Sequence, residues 1–191
     1  MKSKHYEMHF TGAGGQGVIL CSIILAEAAF LEGKNVAQSQ SYGPEARGGL
    51  CQAELIIDAE KIVYPKLTRA NFLLALTQAS LDRFGSDTAD DALIVIDNSL
   101  SAPDDDNLVA LPILQTAAEV VGNPLTANIV AAGAVNALLG IASDALMEQA
   151  VRMHIPWGTE QINLLALSEG WKIGMHARHG KSATHSGVAL F

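Results

Sequence analysis

Charged side chains are scarce in this sequence. They make up 17 % of 191 residues, against roughly 25 % in a typical soluble domain. Cysteine is scarcer still. Cys21 and Cys51 are the only two, and neither belongs to a C-x-x-C pair. That excludes a disulfide scaffold, a ferredoxin-type iron–sulfur module and a cysteine zinc site. Basic residues are outnumbered, 12 Lys and Arg against 20 Asp and Glu, for a net charge of −8. Phosphate-gripping proteins need clustered Lys and Arg, so nucleic acid is excluded as the main partner. No apolar run reaches the ~20 residues of a membrane span. The longest, Val18–Leu31 and Ile129–Ala142, are interrupted by Ser22, Glu27 or Asn136 and fit buried helices. The segment MKSKHYEMHF carries no signal-peptide run, so the expected compartment is the reducing cytoplasm.

What is present is apolar: 49 % hydrophobic residues and a mean hydropathy of +0.24. A chain of this size holds its own core, and the thin charge implies surface covered by partners. The length suits one domain. Residues 1–175 read as a single α/β domain, and 176–191, rich in Gly, Ser and His, as a mobile or partner-contacting tail. Strand-length and helix-length apolar runs alternate. Strands are expected at Tyr6–Thr11, Asn35–Ser41, Leu50–Asp58 with a continuation at Ile62–Tyr64, Phe72–Leu76, Ala92–Asp97 and Asn107–Leu111. Helices are expected at Gly17–Leu31, Ala79–Phe84, Ile113–Val121, Leu125–Leu139, Ser143–Met153 and about Gln161–Lys172. Thr126 and Ser143 stand where caps belong, and Gly33 where the first of these helices ends. The alternation predicts a three-layer Rossmann-like domain, with a mostly parallel sheet and helices on both faces.

Gly12-Ala13-Gly14-Gly15-Gln16-Gly17 fits G-x-G-x-x-G between a strand and a helix. Glycines there permit positive φ and close approach of a ligand. Bare amides at Gly14–Gly17, at a helix N-terminus, favour a phosphate or carboxylate. No Lys-Ser or Lys-Thr follows, which excludes a P-loop. Gln38-Ser39-Gln40 supplies no acid for a ribose, which counts against a freestanding dinucleotide-binding protein. A turn that merely lets the chain reverse remains the plain alternative.

A second loop, Tyr42-Gly43-Pro44-Glu45-Ala46-Arg47-Gly48-Gly49, follows the second strand and belongs at the same carboxyl edge. Arg47 brings a fork of donors, Glu45 an acceptor and Tyr42 a flat face with a hydroxyl; Gly48-Gly49 permits close approach. The plain alternative is an Arg47–Glu45 pair stapling the loop, which at a surface is worth only about 0–1 kcal/mol.

Together the two loops, the strand Cys51–Asp58 and Ile62-Val63-Tyr64-Pro65 resemble the gamma subunit of the 2-oxoacid:ferredoxin oxidoreductases. The resemblance is strongest from about Met8 to Tyr64 and continues through Phe72–Gln78 and the helix around Asn128 and Gly133. The Tyr42–Gly49 loop looks most like the 2-oxoglutarate type; the pyruvate, ketoisovalerate and indolepyruvate types are the alternatives. The resemblance implies a complex that decarboxylates a 2-oxoacid on thiamine diphosphate and Mg, reduces ferredoxin through iron–sulfur clusters and forms an acyl-coenzyme A. It implies alpha, thiamine-binding beta and ferredoxin-like delta partners. This chain has no Gly-Asp-Gly and no cysteine run, so it is expected to hold no redox cofactor and to be inactive alone. Its implied share is a face that helps receive coenzyme A, formed by Gly12, Gly14, Gly15, Gln16, Gly17, Tyr42, Glu45, Arg47, Gly48 and Gly49. No catalytic residue and no metal site are expected in this chain; His176, His179 and His185 lack companion acids or cysteines at ligand spacing. Asn128, in a helix of small apolar residues, reads as a core or interface asparagine.

The net charge is unevenly placed. Residues 1–69 carry seven acids and seven bases, whereas residues 82–106 carry eight Asp and one Arg. The two glycine loops therefore lie in a neutral segment that does not repel an anion.

Overall fold

The computed structural model describes residues 5–42, 49–103 and 105–184. Among these, six strands form one sheet in the order β2-β3-β1-β4-β5-β6. The strands are β1 (Tyr6–Ala13), β2 (Asn35–Tyr42), β3 (Leu50–Asp58), β4 (Ala70–Ala75), β5 (Thr88–Asp97) and β6 (Leu108–Leu111). β1, β4, β5 and β6 pair in parallel; β3 runs antiparallel to both β1 and β2. The helices are α1 (Val18–Leu31), α2 (Gln78–Phe84), α3 (Ile113–Gln115), α4 (Ala127–Leu139), α5 (Asp144–His154) and α6 (Glu160–Thr184). No helix among the described residues is long and apolar enough to cross a membrane.

Side-chain alternation assigns the faces. Met8 and Phe10 of β1 lie opposite Leu55 and Ala53 of β3, and all four are fully buried with Val18, Cys21 and Ile24 of α1. α1 packs between this face and α4 and α5, which is why it is apolar nearly all round. The other face carries Glu7, His9, Gln52, Glu54 and Ser39. There Ser39 donates to Glu54 at 3.1 Å, and His9 Nε2 lies 2.9 Å from Gln52 Oε1. α2 covers that face beside β1 and β4, with Phe84 edge-on to His9 at 4.7 Å. Burial pushes the His9 pKa down, so the ring is neutral at pH 7.

Three local expectations change. Ile62–Tyr64 is not a strand; β3 ends at Asp58, opposite Asn35, and the chain beyond has no pairing partner. Val63 and Tyr64 stand exposed instead. The helix expected at Ile113–Val121 is α3 followed by a π-helical turn, Thr116–Val120. Residues 176–184, expected to begin the tail, are the last turns of α6, and 185–191 lie outside the described residues. Thr126 and Ser143 occupy cap positions without making side-chain cap bonds. Thr126 instead donates to Asn123 O, and the Ser143 N–H donates to Glu32.

At the opposite edge His5 bridges Asp58 at 2.6 Å and Glu7 at 3.3 Å. Partial burial works against the charged ring, but bonds to Asp58 and Glu7 outweigh it and hold its pKa above 6.5. A raised histidine pKa contributes stability that is present below pH 6.5 and lost as pH rises through the folded value. Wild type is therefore expected to melt above His5→Ala at pH 5.5, with the gap closing by about pH 9, read by thermal scans across that range. A gap that widens with pH refutes the bridge.

Candidate functional site

β1 ends at the glycine turn, and α1 begins at Gly17, which has φ 74°. Gln16 organises the turn from inside. Its Oε1 accepts the Ala13 N–H at 2.7 Å, and its Nε2 donates to Leu76 O, at the end of β4, at 3.3 Å. A Cβ on Gly12 would lie 2.7 Å from Gln16 Oε1 and 2.9 Å from Val18 Cγ1. Glycine at 12 is thus set by the close passage of turn and helix. Gly15, at φ 97°, faces open space.

The two glycine loops meet. The Gly14 N–H donates to Gly49 O at 3.0 Å, while Ala13 pairs with Leu50 and Tyr42 with Cys51. This is the outcome of threading β3 between β2 and β1: the end of β2, the start of β3 and the end of β1 share one edge. Gly43–Gly48, including Glu45, Arg47 and Gly48, lies outside the described residues.

The set of open amides differs from the expected one. Gly14 donates to Gly49, and Gln16 donates to Ala13 O. Among the described residues none accepts from the N–H groups of Gly15, Gly17, Val18, Ile19 or Leu20, and no side chain caps α1. Such a helix start carries partial positive charge and free donors, which suits an anion.

The structure adds Asn128, at the start of α4. A Cβ on Gly17 would lie 2.7 Å from Asn128 Nδ2. The only sequence signal was an amide among Ala127, Ile129, Val130 and Ala131. The cysteines belong elsewhere. Cys21 is wholly buried in α1 and Cys51 nearly so in β3, and burial pushes both thiols up. Two cysteines in separate elements do not supply the group of thiolates an iron–sulfur cluster takes.

Fold and edge together define a Rossmann-like α/β protein whose first helix starts with unused backbone amides and carries neither P-loop lysine nor ribose acid. Residues 7–173 match the family model for pyruvate ferredoxin/flavodoxin oxidoreductase. The chain belongs to that family. It is 38 % identical over 173 residues to the 2-oxoglutarate synthase subunit KorC of Methanocaldococcus jannaschii, covering 87 % of this chain and 92 % of that one. The keto/oxoacid ferredoxin oxidoreductase gamma subunit from Geobacter sulfurreducens matches at TM-score 0.78 and 40 % identity, over 90 % of this chain and 99 % of that one. The 2-oxoglutarate:ferredoxin oxidoreductase of Magnetococcus marinus shares the fold at TM-score 0.81 and 20 % identity, over 91 % of this chain and 31 % of that one.

Proposed function

We propose that this chain is the gamma subunit of a multi-subunit 2-oxoglutarate:ferredoxin oxidoreductase, and that its glycine edge helps receive coenzyme A. The complex converts a 2-oxoacid and coenzyme A to acyl-coenzyme A and CO2 while reducing ferredoxin. Thiamine diphosphate, Mg and the clusters belong to partner chains: alpha, beta and a ferredoxin-like delta. The subunit works in the cytoplasm and is inactive alone.

The bond between Gly14 and Gly49 carries the site reading. It makes one edge of two loops through residues 35 apart in sequence. Around it the amides of Gly15, Gly17, Val18 and Ile19 supply neutral donors, and Arg47 supplies the permanent charge. By residue type, Glu45, Tyr42, Gly48 and Gly49 complete the proposed coenzyme A face. The Magnetococcus marinus enzyme, which has the same fold, was solved with 2-oxoglutarate, coenzyme A and succinyl-CoA bound.

The experiment is purification of the chain with its companions from the native source, followed by ferredoxin-reduction kinetics. Thiamine-binding and ferredoxin-like companions are expected, with activity that needs both 2-oxoglutarate and coenzyme A. Arg47→Ala is expected to raise KM for coenzyme A by roughly tenfold or more, the usual scale for one charge-assisted bond to phosphate. An intact complex with unchanged KM rejects the ligand role, and loss of assembly assigns Arg47 to the subunit interface instead.

A further inference from the structure

We infer that the Asn128 side chain is a donor to the oxyanion received at the start of α1; this rests on the reading of the glycine edge given above. Asn128 is 5 % exposed, and its Oδ1 is buried without a hydrogen-bond partner. Its Nδ2 has no acceptor among the described residues and faces the α1 cap, against Gly17.

This is out of keeping with the other buried amides. Asn136 bonds Ala142 through both Oδ1 and Nδ2, at 2.9 and 3.0 Å. Asn163 donates to Thr159 O and Oγ1 at 2.8 and 3.0 Å. Their polar side chains are each used within the fold. Asn128 sits in an apolar helix, where an unpartnered amide costs stability and leucine of similar size would cost none.

Two independent features therefore converge. The α1 start offers amides that the fold leaves unused, and a buried amide that the fold also leaves unused is pressed against the same cap. An oxyanion seated there takes N–H bonds from the helix and one from Nδ2, while the buried Oδ1, an acceptor, needs a donor such as a water. Gly17 is glycine for two reasons on this account: its positive φ, and the space its missing Cβ leaves for Asn128.

The test uses the assembled complex and the substrates themselves as probes. Asn128→Leu is expected to leave melting temperature unchanged or higher. It is expected to raise KM for one anionic substrate roughly tenfold with little change in kcat, as loss of one bond to a charged group predicts. A rise for coenzyme A identifies the oxyanion as a phosphate; a rise for 2-oxoglutarate identifies a carboxylate. Asn128→Ala, which fits the same space, gives the same readout should the leucine variant fail to assemble. Unchanged KM values in a folded variant overturn the inference, and a fall in melting temperature with unchanged KM assigns Asn128 to a buried water. Gly15→Asp, read against Gly15→Asn, which carries the same positive-φ strain without the charge, tests the edge separately by adding a negative charge there. If it raises KM and the Asn128 variants do not, only the inference about Asn128 fails; if it leaves both KM values unchanged, the glycine-edge reading fails with it.

Discussion

Replacing Gly170 with alanine is expected to lower the melting temperature by roughly 5–10 °C. Gly170 lies on α6 where that helix crosses α4, and an added Cβ would sit 2.0 Å from Val130 O and 2.8 Å from Val130 C. Neither is a side chain that can swing away, so the two helix backbones must part. Gly133 and Gly174 line the same contact. Their added Cβ atoms would lie 2.3 Å from Leu167 O and 2.5 Å from Ala134 O, respectively. Alanine gains about 0.5–1 kcal/mol in an exposed helix interior. Overpacking costs about 1–3 kcal/mol and more where backbone must move, so the loss wins. Each kcal/mol shifts the melting temperature of a chain this size by about 2–4 °C. Gly180→Ala is the control, on the same helix with open space around it. It is expected to raise the melting temperature by about 2 °C. Thermal denaturation of both variants decides the matter: a Gly170 variant as stable as wild type means the helices are not in backbone contact.

Asp97→Ala is expected to cost about 2–4 kcal/mol, because it strips three donors of a charged acceptor in the interior. Asp97 is 1 % exposed at the end of β5. Its Oδ1 accepts from the Ser99 N–H and hydroxyl, and its Oδ2 accepts from the Leu114 N–H at 2.8 Å. The carboxylate thus ties the end of β5 to the start of α3. Asparagine keeps the oxygen toward Ser99 but sets an NH2 against the Leu114 N–H, so Asp97→Asn is expected to lose roughly half as much. Urea denaturation of the three proteins tests the order wild type, Asn, Ala. An alanine variant within about 0.5 kcal/mol of wild type, the usual scatter of neutral surface changes, shows that the network contributes nothing.

Much of the element order was legible because periodicity is local. Alternation in Leu50–Asp58 marked a half-buried strand, and β3 has those bounds. The nearly all-round apolar character of Val18–Leu31 marked a helix covered on several sides, which α1 is. The glycine turn was legible because its residues act on their own backbone. The errors have a common cause. Gly174 looks like a helix breaker when only local propensity is weighed, yet in α6 it is where α4 must come close. Ile62–Tyr64 has strand composition but no strand beside it, and composition alone forms no ladder.

By itself the sequence determined the alternating α/β plan, the glycine turn at Gly12–Gly17 and the presence of only two cysteines. These follow from residue type and short spacing. Tertiary structure decided what meets what. It put β3 antiparallel between β2 and β1, so that Gly14 bonds Gly49 and the two loops share an edge. It also brought Asn128 onto Gly17 from more than a hundred residues away. Both depend on strand register and on how closely helices pass, quantities that arise only when distant segments bury their apolar faces together.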